Sequence, residues 1–312
     1  MRVIFAGTPD VAVPSLRALQ ASAHEVVAIL TRHDAPVGRS RTLTRSSVAA
    51  WGDEHGIPVI TANRPDAETR TGLAAFSADI GVIVAYGALL DSDMLILPAR
   101  GWINLHFSAL PEFRGAAPVQ RALLAGASTI GTSVFQLVEE MDAGATFDVE
   151  QHPVDSHQTS GEVLGTLALS GAQQLVRVLD AIEAGGMEST PQEGSPSFAP
   201  KLTSHDARLD PRESAIMTFN RFRAVTPEPG AWIETSSGRI KVTAAEMLSP
   251  EPSHSANRLP VSVIVERDGQ VFLGVSDGAL LLRRVTPAGK RDMEATEWFR
   301  GIRAESVDVV SS

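Results

Sequence analysis

Short apolar runs alternate with longer amphipathic segments in the first part of the chain. Apolar runs bounded by glycine, proline or polar residues are typical of buried parallel strands. Such runs predict strands over residues 2–6, 25–30, 57–61, 79–85, 101–106 and 133–138. Segments of helical length predict helices over residues 11–21, 46–55, 66–77, 116–125 and 160–184. Because strand–helix alternation implies right-handed crossovers, the predicted fold class is α/β with a doubly wound, mostly parallel sheet.

The pattern changes to short strands toward the end of the chain. A helix is predicted over residues 215–223, followed by strands over residues 230–234, 239–245, 261–266, 270–275 and 279–285. Five such strands fit a small β-barrel of the oligonucleotide-binding (OB) type, and the same number fits other small β folds. Residues 189–206 have the proline- and glycine-rich composition of a linker. The predicted domains are therefore residues 1–188 and 207–312.

Composition agrees with an ordinary globular protein of two domains. The 312 residues are 43% hydrophobic and 21% charged, which suffices for substantial cores. The absence of cysteine excludes disulfides and thiolate metal sites, and no metal is expected. The first residues lack the layout of a signal peptide, and no apolar run approaches the ~20 residues that span a bilayer. A soluble, cytoplasmic, monomeric protein without membrane association is therefore expected.

The charge distribution separates one basic segment from an acidic chain. The formal net charge is −10, with a balance of −9 over residues 1–204 and −1 over residues 205–312. Strong nonspecific binding to nucleic acid is therefore not expected. Residues 32–45 nevertheless hold four arginines against one aspartate. Charge alone favours a solvated loop there, and an RNA contact is the alternative.

Two polar side chains on one predicted strand suggest acyl-transfer chemistry. Asn104 and His106 are two residues apart, so they project from the same face of the strand. Both can donate hydrogen bonds to a carbonyl oxygen that gains negative charge, and one such donor contributes roughly 10²–10³ in rate. No serine or cysteine beside them forms a nucleophile elbow. This pattern favours attack by an amine of a second substrate.

An acid near the histidine would complete the site. Asp142 follows the predicted strand over residues 133–138 and so lies on a strand-end loop, where ligands of open α/β sheets bind. It could hold the His106 tautomer and help to remove the proton of an attacking amine. Taken singly, His106 could instead be a surface histidine and Asp142 a turn residue. The hypothesis requires the two side chains to lie close together.

Two further segments follow predicted strands, where ligands could bind. Gly7-Thr8-Pro9 follows the first predicted strand, but it has one of the three glycines of a dinucleotide fingerprint and a proline in the turn. A dinucleotide cofactor is therefore not expected, and this segment is predicted to form the floor of a substrate cleft. Ala85-Tyr86-Gly87 ends the fourth predicted strand, where either a plain turn or a ligand contact is expected.

The residues from Asn104 to Arg121 carry a resemblance to a known family. Asn104-Leu-His-Phe-Ser-Ala-Leu-Pro111 and Arg114-Gly-Ala-Ala-Pro118 resemble the signature of folate-dependent formyltransferases. Further matches are Phe5–Asp10, Pro36–Arg39, Ala85–Gly87, Met141–Gly144, Ala199–Leu202 and Pro287–Arg291. The family usually has other residues at Phe107 and Ala109, which affects pocket shape and not the reaction.

The resemblance implies a fold, a donor and site residues. It implies a formyltransferase-type catalytic domain followed by an OB-like tRNA-binding domain, and 10-formyltetrahydrofolate as formyl donor. Asn104, His106 and Asp142 fall on the catalytic triplet of the family. Folate binding is implied for Tyr86, Ser108, Ala109, Leu110 and Pro111.

The matches are closest to those family members that formylate methionyl initiator tRNA. The implied reaction transfers the formyl group to the α-amine of methionine, which gives N-formylmethionyl-tRNA for translation initiation. Contacts with the tRNA are implied for Arg39, Arg41, Arg45, Lys290 and Arg291.

Other functions remain open at this point. The same chemistry could serve glycinamide ribonucleotide or an amino sugar nucleotide, although the second domain and the arginine-rich loop argue against both. Water could also be the acceptor of the formyl group. A non-catalytic RNA-binding protein is disfavoured by the acidic first domain and by the complete set of Asn104, His106 and Asp142.

Overall fold

The computed structural model describes residues 1–37, 42–248 and 259–310, which group into two units. The first unit comprises Met1–Pro118, Thr129–Pro153 and Leu164–Pro200. The second unit comprises Val119–Ser128, Val154–Val163 and Lys201–Ser312. The predicted division had one boundary, in a linker over residues 189–206. By contacts, residues 119–128 and 154–163 group with the second unit and residues 189–200 with the first, and the predicted domain boundaries stay a prediction.

A seven-stranded sheet forms the centre of the first unit. Its elements in chain order are β1 (Arg2–Gly7), α1 (Val13–Gln20), β2 (Glu25–Thr31), α2 (Ser47–Glu54), β5 (Val59–Thr61), α3 (Ala67–Ala74), β6 (Ile80–Val84), α4 (Ser92–Leu95), β7 (Trp102–His106), β8 (Thr129–Gln136) and β9 (Thr146–Pro153). A separate hairpin pairs β3 (Ala35–Val37) with β4 (Thr42–Thr44). The strand order of the sheet is β5-β2-β1-β6-β7-β8-β9.

The strands of the first unit follow from its apolar runs. Every residue of β6 is buried, as are five of the six residues of β1, so both strands are covered on both faces. Burial of both faces is characteristic of parallel strands in α/β proteins. The first five strands of the order pair in parallel, which confirms the predicted doubly wound, mostly parallel sheet.

The strand β8, next to β7, runs in the opposite direction to the parallel strands. The strand β8 pairs antiparallel with β7, with Ile103 opposite Gln136 and His106 opposite Ser133, and β9 pairs antiparallel with β8. Because β8 ends beside the beginning of β7, the loop over residues 137–145 starts at the end of β7 remote from His106. The loop must therefore extend back along the length of β7 to bring Asp142 to the histidine.

Three helices of the first unit begin after residues that cap them. Ser46, Asp66 and Asp91 each accept a hydrogen bond from a backbone N–H in the first turn of the helix that follows. Such caps satisfy donors that have no partner within the helix.

The longest helix is α6 (Ser160–Glu183), which follows the short α5 (Pro118–Leu124) in chain order. None of the helices in the described ranges is both long and apolar enough to cross a membrane.

The second unit is a nearly closed antiparallel barrel. Its elements are α7 (Ala215–Val225), β10 (Trp232–Thr235), β11 (Gly238–Met247), β12 (Val263–Arg267), β13 (Gln270–Val275), β14 (Gly278–Pro287), β15 (Met293–Glu294), α8 (Ala295–Ile302) and β16 (Ser306–Asp308). The strands follow the order β10-β11-β14-β13-β12-β16. A bridge between Thr235 and Val309 links the two ends of this order. The barrel confirms the predicted fold class, while α8 and β16 were not predicted.

The close contact of Gly81 with Trp102 supports the centre of the parallel sheet. A Cβ atom at Gly81 would lie 2.2 Å from the indole ring, which is fully buried. We expect Gly81→Ala to lower the free energy of unfolding by about 1–3 kcal/mol, because overpacking a filled core costs that much. Urea unfolding followed by circular dichroism measures the change. Gly165→Ala is the control, because that glycine lies in α6 with open space around it. A Gly81→Ala chain as stable as the control would contradict this account of the packing.

Candidate active site

A cavity of about 530 Å³ in the first unit contains the residues with the predicted chemistry. Its polar side chains include Asn104, His106 and Asp142. The remaining lining is mostly apolar, and comprises chiefly Ile83, Ala85, Tyr86, Ala88, Leu89, Leu90, Phe107, Leu137, Val138 and Met141. Small-molecule sites commonly have this volume, with apolar walls and a few convergent polar groups.

The alternation of β7 places Asn104 and His106 in the cavity. Asn104 is half-buried and His106 is buried, and the Phe135 ring lies perpendicular to the imidazole at 6.4 Å between centroids. His106 Nε2 lies 3.0 Å from the carbonyl oxygen of Phe113. Since a carbonyl can only accept, this bond requires a proton on Nε2. The ring nitrogen left to act in the cavity is therefore Nδ1.

The carboxylate of Asp142 lies next to that nitrogen. Its Oδ2 atom is 3.9 Å from His106 Nδ1, which is ion-pair range and too long for a direct hydrogen bond. The same oxygen accepts a 2.7 Å hydrogen bond from the backbone N–H of Gly115. The structure thus brings together Asn104, His106 and Asp142, although the Asp142 loop comes from the remote end of β7. Gly115 was not predicted as a site residue, although it lies in the Arg-Gly-Ala-Ala-Pro motif.

The predicted folate residues after β7 form a turn outside the cavity wall. The Ser108 hydroxyl donates to the Glu112 carbonyl at 2.6 Å, so it is occupied within its own turn. The Ser133 hydroxyl donates to the Ser108 carbonyl at 2.7 Å and accepts from the Leu110 N–H at 3.0 Å. Among the described residues that line the cavity, Ser108, Ala109, Leu110 and Pro111 do not occur. Folate binding by these four residues stays a prediction.

Tyr86 lines the cavity without offering its hydroxyl group to it. The side chain is buried, and its hydroxyl donates a 2.6 Å hydrogen bond to the Ala62 carbonyl. The Tyr86 carbonyl accepts a 2.8 Å hydrogen bond from the Thr8 hydroxyl. The neighbours Ala85 and Gly87 both have positive φ, which turns the chain sharply at this point. Tyr86 therefore shapes the wall and anchors it to the core.

Apolar wall residues were not identified from the sequence. Leu89, Val138 and Met141 line the cavity and are 74%, 41% and 50% exposed, so they form an apolar rim. Only Met141 lies in a segment that matched the family. Apolar residues at loop positions carry no periodic signal, which explains why they were missed. Within the described part of the chain, no cluster of three metal-ligating side chains occurs.

None of the predicted tRNA-binding residues that the structure describes lines the cavity. Arg39 and Arg41 lie outside the described residues. The Arg45 guanidinium donates to both carboxylate oxygens of Asp53, at 2.5 and 2.8 Å, and Asp34 lies 3.6 Å away, so its charge is compensated. Lys290 and Arg291 are exposed in the second unit, and no described carboxylate lies within ion-pair range of either.

Further basic side chains lie beside Lys290 and Arg291 on the barrel. The Ala288 N–H donates to the Arg239 carbonyl at 3.1 Å, which places the turn against β11. Arg239 and Lys241 are exposed on β11. The Arg239 guanidinium lies 3.9 Å from the centroid of a Trp232 ring and donates to Glu234 at 3.0 Å, so its charge is partly compensated. These two basic residues were not predicted, because the register of β11 and β14 is needed to place them next to the turn.

Comparison with known proteins agrees with the geometry. Residues 1–179 match the formyl transferase family, and residues 201–303 match the formyl transferase C-terminal domain. A methionyl-tRNA formyltransferase from Clavibacter sepedonicus is 48% identical over 307 residues, covering 98% of this chain and 99% of that protein. An N-formyltransferase structure from Helicobacter canadensis, in complex with folinic acid and dTDP-3-aminofucose, has a TM-score of 0.66 and 17% identity, covering 90% of this chain and 98% of its own. A methionyl-tRNA formyltransferase structure from Clostridium thermocellum has a TM-score of 0.57 and 12% identity, covering 80% of this chain and 95% of its own. These two structures show a shared fold.

The single tyrosine of the chain gives a direct test of the cavity wall. Burial raises the pKa of Tyr86 to about 12, although the positive charge of Arg32 acts in the other direction. The raised pKa contributes stability that is fully present below the ordinary pKa of about 10 and is lost as the pH rises toward 12.

We expect the ultraviolet absorbance of phenolate to appear near pH 12, or together with alkaline unfolding seen by circular dichroism. Phenolate formation near pH 10 in the folded protein would contradict the buried position of Tyr86.

Proposed function

The chain belongs to the formyl transferase family, and we propose that it transfers the formyl group of 10-formyltetrahydrofolate to the α-amine of methionyl initiator tRNA. The family assignment confirms the resemblance seen in the motifs of the chain. The observation that carries the proposal is the convergence of Asn104, His106 and Asp142 at the wall of an apolar cavity. The acceptor is proposed from the relatives that match nearly the whole chain, including its second domain.

The cavity suits a folate in size and chemistry. Its apolar walls and exposed apolar rim fit flat aromatic groups, which such surfaces bind by burial from water. Ile83, Leu90 and Leu137 would hold the ring system, and the Asp142 loop would close one side of it. When bound, 10-formyltetrahydrofolate supplies the formyl carbon. The chain supplies orientation and electrostatics.

Asn104 and His106 stabilise negative charge in this proposal. The Asn104 amide donates to the oxygen on which the charge develops, in a site that is largely shielded from water. Because His106 Nε2 is bound to the Phe113 carbonyl, the ring donates through Nδ1 and must be protonated there. The carboxylate of Asp142 lies 3.9 Å from Nδ1, within ion-pair range of the protonated ring. The Asp142 carboxylate would accept the proton that the attacking amine loses, because the His106 ring already carries a proton on each nitrogen.

The tRNA is held by cations in two places. Arg39 and Arg41 remain proposed contacts for the acceptor arm, as the resemblance implies. Lys290 and Arg291 are proposed contacts for the tRNA body, because no described acid compensates them and other basic side chains lie beside them. Arg45 is expected to contribute less, because Asp53 and Asp34 already balance its charge.

Removal of one donor separates catalysis from binding. We expect Asn104→Ala and His106→Ala to lower kcat by roughly 10²–10³, as loss of one donor to a developing oxyanion does, while the Kd for tRNA stays unchanged. Transfer of labelled formyl to methionyl initiator tRNA gives kcat, and filter binding gives Kd. Gln20→Ala, at an exposed site outside the cavity lining, is the control. Wild-type turnover in His106→Ala would contradict the mechanism.

The basic turn is expected to bind phosphates. The double change Lys290→Ala and Arg291→Ala should weaken tRNA binding and reduce the slope of log K against log salt by roughly 0.7–0.9 for each lost phosphate contact. Turnover at saturating tRNA should not change, because the turn lies outside the cavity lining. Arg45→Ala, whose charge is compensated, is the matched control and should change the slope less. Equal slopes in the wild type and the double variant would exclude these residues from the interface.

A further inference from the structure

The side chain of Gln192 links the Asp142 loop to the rest of the first unit. Its Nε2 atom donates to the carbonyl oxygens of Asp142 and Gly144, each at 2.8 Å. Its Oε1 atom accepts from Arg114, at 3.2 Å from Nε and 2.7 Å from Nη2. Gln192 lies in the segment predicted from the sequence to be a linker, and no role was assigned to it there.

The hydrogen bonds fix which way the amide points. The guanidinium of Arg114 can only donate, so the amide oxygen must face it. The NH₂ group then faces the two carbonyls, which can only accept. Arg114 is buried, with 9% of its surface exposed, and Glu140 lies 3.3 Å from its Nη1 atom. The orientation of Gln192 is therefore determined by chemistry and not by a choice between two equivalent rotamers.

The segment around Gln192 also holds the other loop of the site. The Arg114 N–H donates to the Ser197 carbonyl at 2.8 Å, and the Ala117 N–H donates to the Ala199 carbonyl at 3.0 Å. These bonds flank Gly115, whose N–H binds the Asp142 carboxylate. Residues 190–199 thus contact both loops that meet at Asp142.

The Asp142 loop needs such support for a physical reason. Asp142 has a φ of +50°, a backbone conformation that is unfavourable for a residue with a side chain. The loop also starts at the end of β7 that is remote from His106. A donor that binds the Asp142 carbonyl offsets the cost of this conformation at the residue whose carboxylate must stay beside Nδ1.

We propose that Gln192 is a positioning residue for formyl transfer, which acts by holding the Asp142 loop through its two carbonyls. The inference rests on the proposed function for its kinetic effect and on the loop geometry for its structural effect. Gln192→Glu tests it sharply, because a carboxylate keeps the contact with Arg114 and cannot donate to either carbonyl. If Gln192 only anchored Arg114, the glutamate would serve as well or better.

We expect Gln192→Glu to lower kcat by roughly 10²-fold, as small misplacements of a reacting group do, with little change in the KM for tRNA. Backbone hydrogen exchange should rise in residues 139–145 and at Gly115, and the free energy of unfolding should change little. Gln151→Glu is the control, because Gln151 is an exposed glutamine on β9 of the same unit. It should match the wild type in all three measurements.

Wild-type kcat in Gln192→Glu, or a lowered kcat without faster exchange in residues 139–145, would overturn the inference. If the wild-type chain does not formylate methionyl-tRNA, the proposed function fails, and the exchange comparison still decides whether Gln192 holds the loop. Gln192→Ala is less informative, because it also removes the acceptor of the Arg114 Nε and Nη2 atoms.

Discussion

The hydrogen bond from the Gly115 N–H to the Asp142 carboxylate is the contact on which the site depends. It joins two loops that leave β7 and β8 at opposite ends of the sheet, because these strands are antiparallel. The pairing of the strands alone would not bring a carboxylate to His106. The bond also uses the oxygen that lies 3.9 Å from Nδ1, so it sets the position of the charge relative to the imidazole.

Small residues make this approach possible. A Cβ atom at Gly144 would lie 1.7 Å from the Gln136 carbonyl oxygen, and one at Gly115 would lie 2.9 Å from the Ala199 carbonyl oxygen. Both loops therefore pass closer to neighbouring backbone than a side chain would allow. Burial of the apolar strands provides the scaffold, and these glycines let the loops fold onto it. The site thus combines a core fixed by apolar packing with loops fixed by hydrogen bonds.

The elements that were predicted correctly are those with a simple periodic signal. The continuous apolar runs of β1 and β6 and the two-residue spacing of Asn104 and His106 were sufficient to place strands and a shared face. The direction of β8 was not predictable, because a run of apolar residues is compatible with both parallel and antiparallel pairing. The helix α8 was missed although its apolar positions, including Trp298 and Phe299, are buried. Residues 190–199 were predicted as linker because proline and glycine signal irregular structure, and composition carries no information on side chains such as Gln192 that hold distant loops.

The acceptor of the formyl group is the central claim, and a comparison of acceptors tests it most directly. Labelled formyl from 10-formyltetrahydrofolate would be followed to methionyl initiator tRNA, elongator methionyl-tRNA, glycinamide ribonucleotide and water in parallel. The proposed function predicts label on the initiator tRNA in large excess over the other three. Label on glycinamide ribonucleotide, or release of formate without transfer, would keep the catalytic residues and contradict the proposed acceptor.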